Sequence, residues 1–142
     1  AYFDRITDMI HSAGIENQVR IHPACNHARL KEYLGTAHFF IFPTEEPREG
    51  HSNALTEAMA WGVIPISTAQ GFSRSVLSRD ELIVERPDPV CFADRIERII
   101  ENGTMTGISR LMYGRVGELY TQNRAFQRLK REYAHLFGLE II

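Results

Sequence analysis

Two glutamates open the helical stretch EGHSNALTEAMAWG at residues 49–62, and their spacing can carry chemistry. Glu49 lies just before the predicted helix, and Glu57 lies roughly 6 Å into it at 1.5 Å per residue. Carboxylates accept hydrogen bonds from hydroxyls, and Glu57 can take a bidentate pair such as a ribose diol. The free N–H groups at Gly50 to Ala54 and the positive end of the helix dipole attract a phosphate. Phosphate and polyol together indicate a sugar nucleotide.

A second interpretation of the two glutamates requires no ligand. Glu49 would then be a solvated loop residue, and Glu57 would only complement the helix dipole. Glutamates near helix starts are common, so the spacing alone favours this second interpretation by roughly two to one. The choice between the two interpretations therefore depends on the surrounding sequence.

Apolar spacing and turn residues predict the elements that position the pair. Helices are predicted from residue 3 to 13, 30 to 37, 52 to 62, 73 to 77 and 89 to 100, followed by two more between 108 and 137. Gly14 and Gly62 are expected to end the first and the third helix, and Asp88-Pro89 to cap the fifth, whose predicted buried stripe is Phe92, Ile96, Ile99 and Ile100. Strands are predicted at VRIHP (19–23), HFFIFPT (38–44), VIPIST (63–68) and LIVE (82–85). The second of these is continuously apolar and is expected to be a central parallel strand, buried on both faces. Pro65 cannot donate to a ladder and should lie near the start of its strand.

This alternation of strands and helices predicts an α/β fold, because each right-handed crossover between parallel strands needs a helix. The sheet would be parallel and flanked by helices. Ligands in such sheets bind at the carboxyl ends of the strands, where the next helix begins. The glutamate pair follows HFFIFPT and falls at such a junction.

Composition narrows the class of protein. The 142 residues are 44% hydrophobic and 24% charged, which fits one ordinary domain, and a net charge of −2 disfavours nucleic acid as a partner. The two cysteines, Cys25 and Cys91, are too few for a disulfide framework and favour a reducing cytosol. No apolar run approaches the roughly 20 residues that cross a bilayer, and no signal peptide opens the chain. Ala1 begins inside a helical pattern, so we expect an excised fragment of a longer protein.

The run FIFPT...EGHSNALTEAMAWGVIPIST..G resembles the donor-binding segment of retaining glycosyltransferases of family 4. These enzymes have two Rossmann-like domains in the arrangement called GT-B, and the resemblance spans about residues 15 to 100. Glu49 and Glu57 fall on the E-x7-E motif of that family. The resemblance implies that residues 1–142 form the C-terminal nucleotide-sugar-binding domain of a GT-B protein, with its first strands missing and with C-terminal helices at about 104–138.

The resemblance also implies roles for individual residues. Glu49 would be the catalytic residue facing the donor sugar, and Glu57 would bind the nucleotide ribose. The loop from Pro23 to Asn26 would lie against the base. The implied donor-binding residues are Gly50, His51, Ser52, Asn53, Ala54, Glu57, Pro23 and Gly71.

The implied activity is transfer of a sugar from a nucleotide-diphosphate sugar to an acceptor hydroxyl on a glycan or a lipid-linked glycan, as in polysaccharide biosynthesis. The acceptor would be held by an N-terminal domain that this chain lacks, so the fragment alone is expected to be inactive. The sequence has no Asp-x-Asp pair, which agrees with a site that needs no metal and no cofactor. We expect a cytoplasmic protein, with the inner face of the membrane as its further location.

Three features depart from the family pattern. Gly71 is followed by Phe72 and Ser73 where such enzymes usually have a second glycine and a glutamate. The residues EEPR (45–48) lengthen the loop before Glu49. Two initial strands and the basic Arg/Lys pair that neutralises the leaving diphosphate are absent. These departures keep two alternatives open: a non-catalytic nucleotide- or sugar-phosphate-binding module, and an interaction domain that binds no ligand.

Two other signals are weaker. HPACNH places His22, Cys25 and His27 close together, but a structural zinc site needs a fourth ligand, so a strand-end loop is the favoured interpretation. The last helix carries basic residues opposite Phe126, Leu129 and Tyr133. We expect a solvated face over a core stripe there, with peripheral contact to anionic lipid as the weaker alternative.

Overall fold

The computed structural model describes residues 2–137, which divide after Glu32 into two compact units. In the first unit, α1 (Tyr2–Ser12) is followed by Gly14 with φ +66°. That left-handed conformation favours glycine, so the predicted first helix and its terminator are confirmed. A second helix, α2 (His27–Leu34), begins where the side-chain oxygen of Asn26 accepts a 3.0 Å hydrogen bond from the Arg29 amide.

The predicted strand VRIHP is wrong. Residues 19–23 are assigned to neither a strand nor a helix. Alternation of apolar and polar residues indicates a half-buried extended segment, but a strand also needs a neighbour that accepts its ladder hydrogen bonds. The described ladders join only the strands of the second unit.

The second unit contains the sheet and five more helices. The strands are β1 (Phe39–Phe42), β2 (Ile64–Thr68) and β3 (Ile83–Val84). The helices are α3 (Asn53–Ala60), α4 (Ser73–Leu77), α5 (Pro89–Glu101), α6 (Met105–Leu119) and α7 (Gln122–Phe137), and a short 3₁₀ turn, Asp80–Leu82, precedes β3.

The three described strands are parallel and lie in the order β1-β2-β3. This confirms the predicted α/β class with a parallel sheet flanked by helices. Every residue of β2 and of β3 is buried, whereas Ile41 of β1 is 47% exposed. The expectation that β1 is buried on both faces is therefore wrong for the described sheet, in which β1 is an outer strand.

Pro65 is the second residue of β2 and pairs with Phe40 of β1. The Ile64 amide donates to His38 on the β1 side, and the Ala69 amide donates to Val84 on the β3 side. Because successive amides of a strand point to opposite sides, the nitrogen of Pro65 faces the β3 side. There β3 reaches only Ser67 and Thr68, so no ladder hydrogen bond is lost, and the predicted position of the proline is confirmed.

The core forms where α3 and α6 pack against each other and against β2. On α3, Leu55, Ala58 and Met59 are buried at helical spacing, and Gly62, with φ +71°, follows the helix. The central cluster also contains Ile64, Ile66, Val76, Leu77, Leu82, Ile83, Val84, Phe92, Ile99, Ile108 and Met112.

Helix α5 starts at the predicted Asp88-Pro89 cap, where the Asp88 carboxylate accepts a 2.9 Å hydrogen bond from the Val90 amide. Its predicted buried stripe is only partly correct. Phe92 and Ile99 are buried, whereas Ile100 is exposed. Ile100 follows Ile99 directly and is turned by about 100° around the helix, so the two cannot both face the sheet.

The predicted core stripe on the last helix is wrong. Phe126, Leu129 and Tyr133 are exposed, and Ala134 is the buried residue of α7. An apolar stripe predicts which side of a helix prefers burial, but the covering element must also be present. Among residues 2–137, no helix combines the length and the apolar character needed to cross a bilayer.

Ile66 and Ile41 are register partners and provide a test of this core. We expect Ile66→Ala to lower the free energy of unfolding by about 2–5 kcal/mol, because its fully buried side chain would leave a cavity. Ile41→Ala should cost about 1 kcal/mol or less, since Ile41 is half exposed. Urea unfolding followed by circular dichroism measures both, and equal losses would contradict the assigned core.

Candidate functional site

The loop that carries Glu49 leaves the carboxyl end of β1 as a hydrogen-bonded turn. The Thr68 hydroxyl donates to the Thr44 carbonyl, and the Glu46 amide donates to the Thr44 hydroxyl at 3.2 Å. The amides of Arg48 and Glu49 then donate to the Glu46 carboxylate and carbonyl, at 2.9 and 3.1 Å. The extra residues EEPR thus fold back and bring Glu49 to the start of α3.

The loop after β2 fixes Glu49 from the other side. A Cβ on Gly71 would lie 2.1 Å from the Glu49 carbonyl oxygen and 2.8 Å from the Glu49 Cβ. Gly71 also has φ +53°, and the Phe72 amide donates to the Glu49 carbonyl at 3.3 Å. Only glycine fits this close approach. The structure therefore brings the predicted residues Gly71 and Glu49 into direct contact.

The first turn of α3 follows this contact. Ser52 occupies the N-cap position and is buried, without a side-chain capping bond. The Thr56 amide donates to the Ser52 carbonyl at 3.3 Å. The amides of Asn53, Ala54 and Leu55 precede that first helical bond and have no acceptor within the helix. Asn53 and Ala54 are exposed, so this end of the helix can receive an anion.

Glu57 lies on the accessible side of the same helix. It is one turn after Asn53 and Ala54, and it is partly buried, whereas Leu55 and Met59 of the opposite face are fully buried. Side chains on a helix lean towards its N-terminus, which directs the Glu57 side chain towards the first turn. This is the position from which a carboxylate can accept hydrogen bonds next to a bound anion.

The two glutamates are chemically available. Within residues 2–137, neither the Glu49 nor the Glu57 side chain has a hydrogen bond or an ion pair. Both residues are partly buried, which limits the directions from which a ligand can approach. Two carboxylates without other partners can accept hydrogen bonds from the hydroxyls of a polyol.

His51 lies in the same loop and contacts a residue that the sequence motif does not include. Its imidazole ring lies 4.7 Å from the ring of Tyr120, centroid to centroid, at an interplanar angle of 54°. Tyr120 follows α6 directly. In the sequence it is only one apolar position of a helical stripe, so no local signal indicates the contact.

Two buried serine hydroxyls connect β2 to the residues that follow Gly71. Ser67 and Ser73 are both buried, and their hydroxyl oxygens share a 2.9 Å hydrogen bond. The Ser67 hydroxyl is also 3.0 Å from the Thr68 carbonyl oxygen. Ser73 stands where the resemblance leads one to expect a glycine-rich continuation, and its side chain binds to β2.

The nearby cation Arg74 is engaged elsewhere. It forms ion pairs with Asp80 and Glu85, the former at 3.0 Å. These groups line a cavity of about 810 Å³ next to β3 and α5, whose lining contains none of the predicted site residues. Arg74 therefore cannot be assigned as a substitute for the basic pair of the family pattern.

The remaining sequence predictions lie in the first unit. Pro23 belongs to the segment between α1 and α2, and its role against a nucleotide base stays a prediction. Across residues 2–137, no three or more histidine, cysteine, aspartate or glutamate side chains group closely enough to hold a metal ion. The zinc interpretation of HPACNH thus has no support in the described chain.

The parallel sheet, its helix order and the loop after β1 define a class of protein, the C-terminal domains of GT-B glycosyltransferases. The chain is similar in structure to a sucrose-phosphate synthase from Thermosynechococcus elongatus, with a TM-score of 0.78 and 22% identity, covering 95% of this chain and 34% of that one. It also superposes on the C-terminal domain of a glycosyl transferase group 1 family protein from Francisella tularensis, with a TM-score of 0.74 and 19% identity over 85% of this chain and 63% of that one.

The chain belongs to the family of group 1 glycosyl transferases, whose model matches residues 1–118. It is 26% identical over 129 residues to a phosphatidylinositol N-acetylglucosaminyltransferase subunit from Arabidopsis thaliana, covering 91% of the chain and 28% of that protein. It is 27% identical over 101 residues to D-inositol 3-phosphate glycosyltransferase 1 from Catenulispora acidiphila, covering 70% of the chain and 24% of that protein. The chain thus spans about a quarter of the length of these curated relatives.

The contact between Gly71 and Glu49 predicts unequal effects of two matched substitutions. Gly103→Ala should cost about 1–2 kcal/mol, because Gly103 has φ +65° but open space around it. Gly71→Ala should cost more and should also speed amide exchange at residue 46 and at residues 48–50, since its Cβ would collide with Glu49. Urea unfolding and hydrogen exchange measure the two effects. Indistinguishable variants would show that the contact does not hold the loop.

Proposed function

We propose that this chain is the donor-binding half of a retaining glycosyltransferase that moves a sugar from a nucleotide-diphosphate sugar to an acceptor hydroxyl. One observation carries the proposal. Gly71 and Phe72 hold Glu49 at the carboxyl end of the parallel sheet, directly before the open amides of α3. Membership of the group 1 glycosyl transferases supports the transferase class.

In this proposal each group acts on a different part of the donor. The amides from Gly50 to Ala54 receive the diphosphate, whose negative charge increases as it leaves. Glu57 accepts hydrogen bonds from the ribose hydroxyls. Glu49 binds hydroxyls of the donor sugar and so holds the anomeric carbon towards the acceptor.

The two glutamates do not act as the acid and nucleophile of a glycosidase. In that chemistry two carboxylates flank one scissile bond. Here Glu57 lies one turn along the helix, beside the open amides, where the proposed diphosphate would separate it from the sugar. The positions of the two glutamates therefore fit binding of the two ends of one donor molecule.

The proposal also includes a class of acceptor and a domain that binds it. We propose a glycan or lipid-linked glycan as acceptor, bound by an N-terminal domain of the same protein, in the cytoplasm or at the inner face of the membrane. The transfer is then expected to need both domains, because the acceptor hydroxyl must be held close to the anomeric carbon.

A second candidate is a nucleotide- or sugar-phosphate-binding module without catalysis. It is favoured by the loop after β2, in which Ser73 and Arg74 are engaged in internal contacts, so that Arg74 is not available to a leaving diphosphate. Titration of nucleotide sugars into the complete natural protein, followed by an assay for released nucleoside diphosphate, separates the candidates. A binder without turnover would exclude the transferase.

We expect Glu57→Ala to weaken nucleoside diphosphate binding roughly 10- to 100-fold, because hydrogen bonds to a charged group contribute about 1.5–3 kcal/mol. Glu49→Ala should leave that affinity nearly unchanged and lower kcat for transfer. Calorimetry with UDP, GDP and ADP measures the first effect, and product formation by the complete protein measures the second.

Glu45→Ala is the matched control, because Glu45 lies in the same loop, is exposed and should bind neither end of the donor. It should behave like the unmodified protein in both assays. If Glu57→Ala and Glu45→Ala bind nucleotide equally well, Glu57 is not the ribose ligand. If Glu49→Ala retains full kcat, the role of Glu49 is refuted.

Transfer should persist in excess EDTA, because the proposed charge stabilisation comes from backbone amides and the helix dipole. The assay compares initial rates of the complete protein with EDTA, and with added Mg²⁺ or Mn²⁺. A rate that disappears on chelation and returns with either cation would show that a metal, rather than the α3 amides, stabilises the leaving group.

A further inference from the structure

The ring contact between His51 and Tyr120 joins the candidate site to α6. A centroid distance of 4.7 Å with tilted rings is a favourable aromatic geometry. Tyr120 is partly buried whereas His51 is exposed, so Tyr120 is the support and His51 the supported ring. The two residues are far apart in sequence, and the contact therefore depends on the tertiary fold.

Tyr120 is itself firmly held. Its amide donates to the Val116 carbonyl at 2.9 Å and closes the last turn of α6. One turn earlier, the Arg115 guanidinium donates to the carbonyls of Val76 and Ser75, each at 2.7 Å. These charge-assisted bonds tie the end of α6 to the end of α4.

The first half of α6 is bound to the end of α3, the helix that carries Glu57. The Ser109 hydroxyl donates to the Gly62 carbonyl at 2.6 Å, immediately after α3. Ile108 and Met112 bury the adjacent face of α6 in the core. Tyr120 thus sits on an element that is fixed relative to both α3 and α4.

The loop has few other contacts at this point. Glu49 is held by Gly71, and Ser52 is buried at the helix start, but Gly50 between them is exposed and has open space where a Cβ would be. His51 supplies the side-chain packing of this short segment. Without its ring contact, the Gly50 and His51 peptides could rotate between two fixed ends.

We propose that Tyr120 is a positioning residue that holds His51, and with it the amides at residues 50–53, in the arrangement that receives the donor diphosphate. This inference rests on the proposed function and adds to it a residue outside the family motif. In this proposal Tyr120 itself binds no donor group. It acts on binding only through His51.

The test compares Tyr120→Leu with Tyr120→Phe in the complete natural protein. Phenylalanine keeps the ring and loses only a long 3.5 Å bond from the hydroxyl to the Val76 carbonyl. Tyr113→Leu is the matched control, because Tyr113 is an exposed tyrosine on α6, the helix that Tyr120 follows. Hydrogen exchange of the amides at 50–53 is measured without ligand, and UDP, GDP and ADP affinities are measured by calorimetry.

We expect Tyr120→Leu to speed exchange at residues 50–53 and to weaken nucleotide binding about two- to tenfold, the range given by one aromatic pair. Tyr120→Phe and Tyr113→Leu should match the unmodified protein. In a His51→Ala background, Tyr120→Leu should cause no further loss of affinity. A loss that persists in that background, or one that Tyr120→Phe shares, would overturn the proposal.

A second pair of variants covers a failure of Tyr120→Leu to fold. His51→Phe, which keeps a ring on Tyr120, is then compared with His51→Ala, which removes it, and equal exchange rates at Gly50 in the two variants would overturn the inference. If the unmodified protein binds no nucleotide while exchange responds as expected, the proposed function fails and only the support of the loop by Tyr120 stands.

Discussion

The candidate site depends on one backbone contact, the packing of Gly71 and Phe72 against the carbonyl of Glu49. It joins the loops that follow two neighbouring parallel strands and determines where the first turn of α3 can begin. The hydrogen bond from the hydroxyl of Thr68, the last residue of β2, to the Thr44 carbonyl connects the end of that strand to the loop after β1. Because the contact with Gly71 and Phe72 fixes the backbone of Glu49, it limits where the Glu49 carboxylate can lie relative to the open amides of α3.

Much of the fold follows from local sequence signals. Helical spacing, the glycines at 14 and 62 and the Asp88-Pro89 cap each reflect interactions within a few residues, and the structure has them where they were expected. The parallel sheet also follows, since strands that alternate with helices need crossovers of one hand. The same reasoning fails at residues 19–23 and on α7, where burial depends on a partner that the local pattern does not specify.

The candidate site was predictable to a similar extent. The motif identifies Glu49, Glu57 and the start of α3, because their spacing along one loop and one helix is local. The contact of His51 with Tyr120 was not predictable, since it joins residues from different elements and Tyr120 has an ordinary helical environment in the sequence. The requirement for glycine at position 71 was not predictable either, because it arises from the close approach of Glu49, which lies on a different loop.

Pro65 has a consequence for strand alignment. If β3 slipped by two residues towards the start of β2, Ile83 would lie opposite Pro65 instead of Ser67. The carbonyl that now faces an amide would then face a ring nitrogen without hydrogen, and one bond of a very short ladder would be lost. The imino acid thereby disfavours one of the two nearest alternative registers that keep the side chains on their faces.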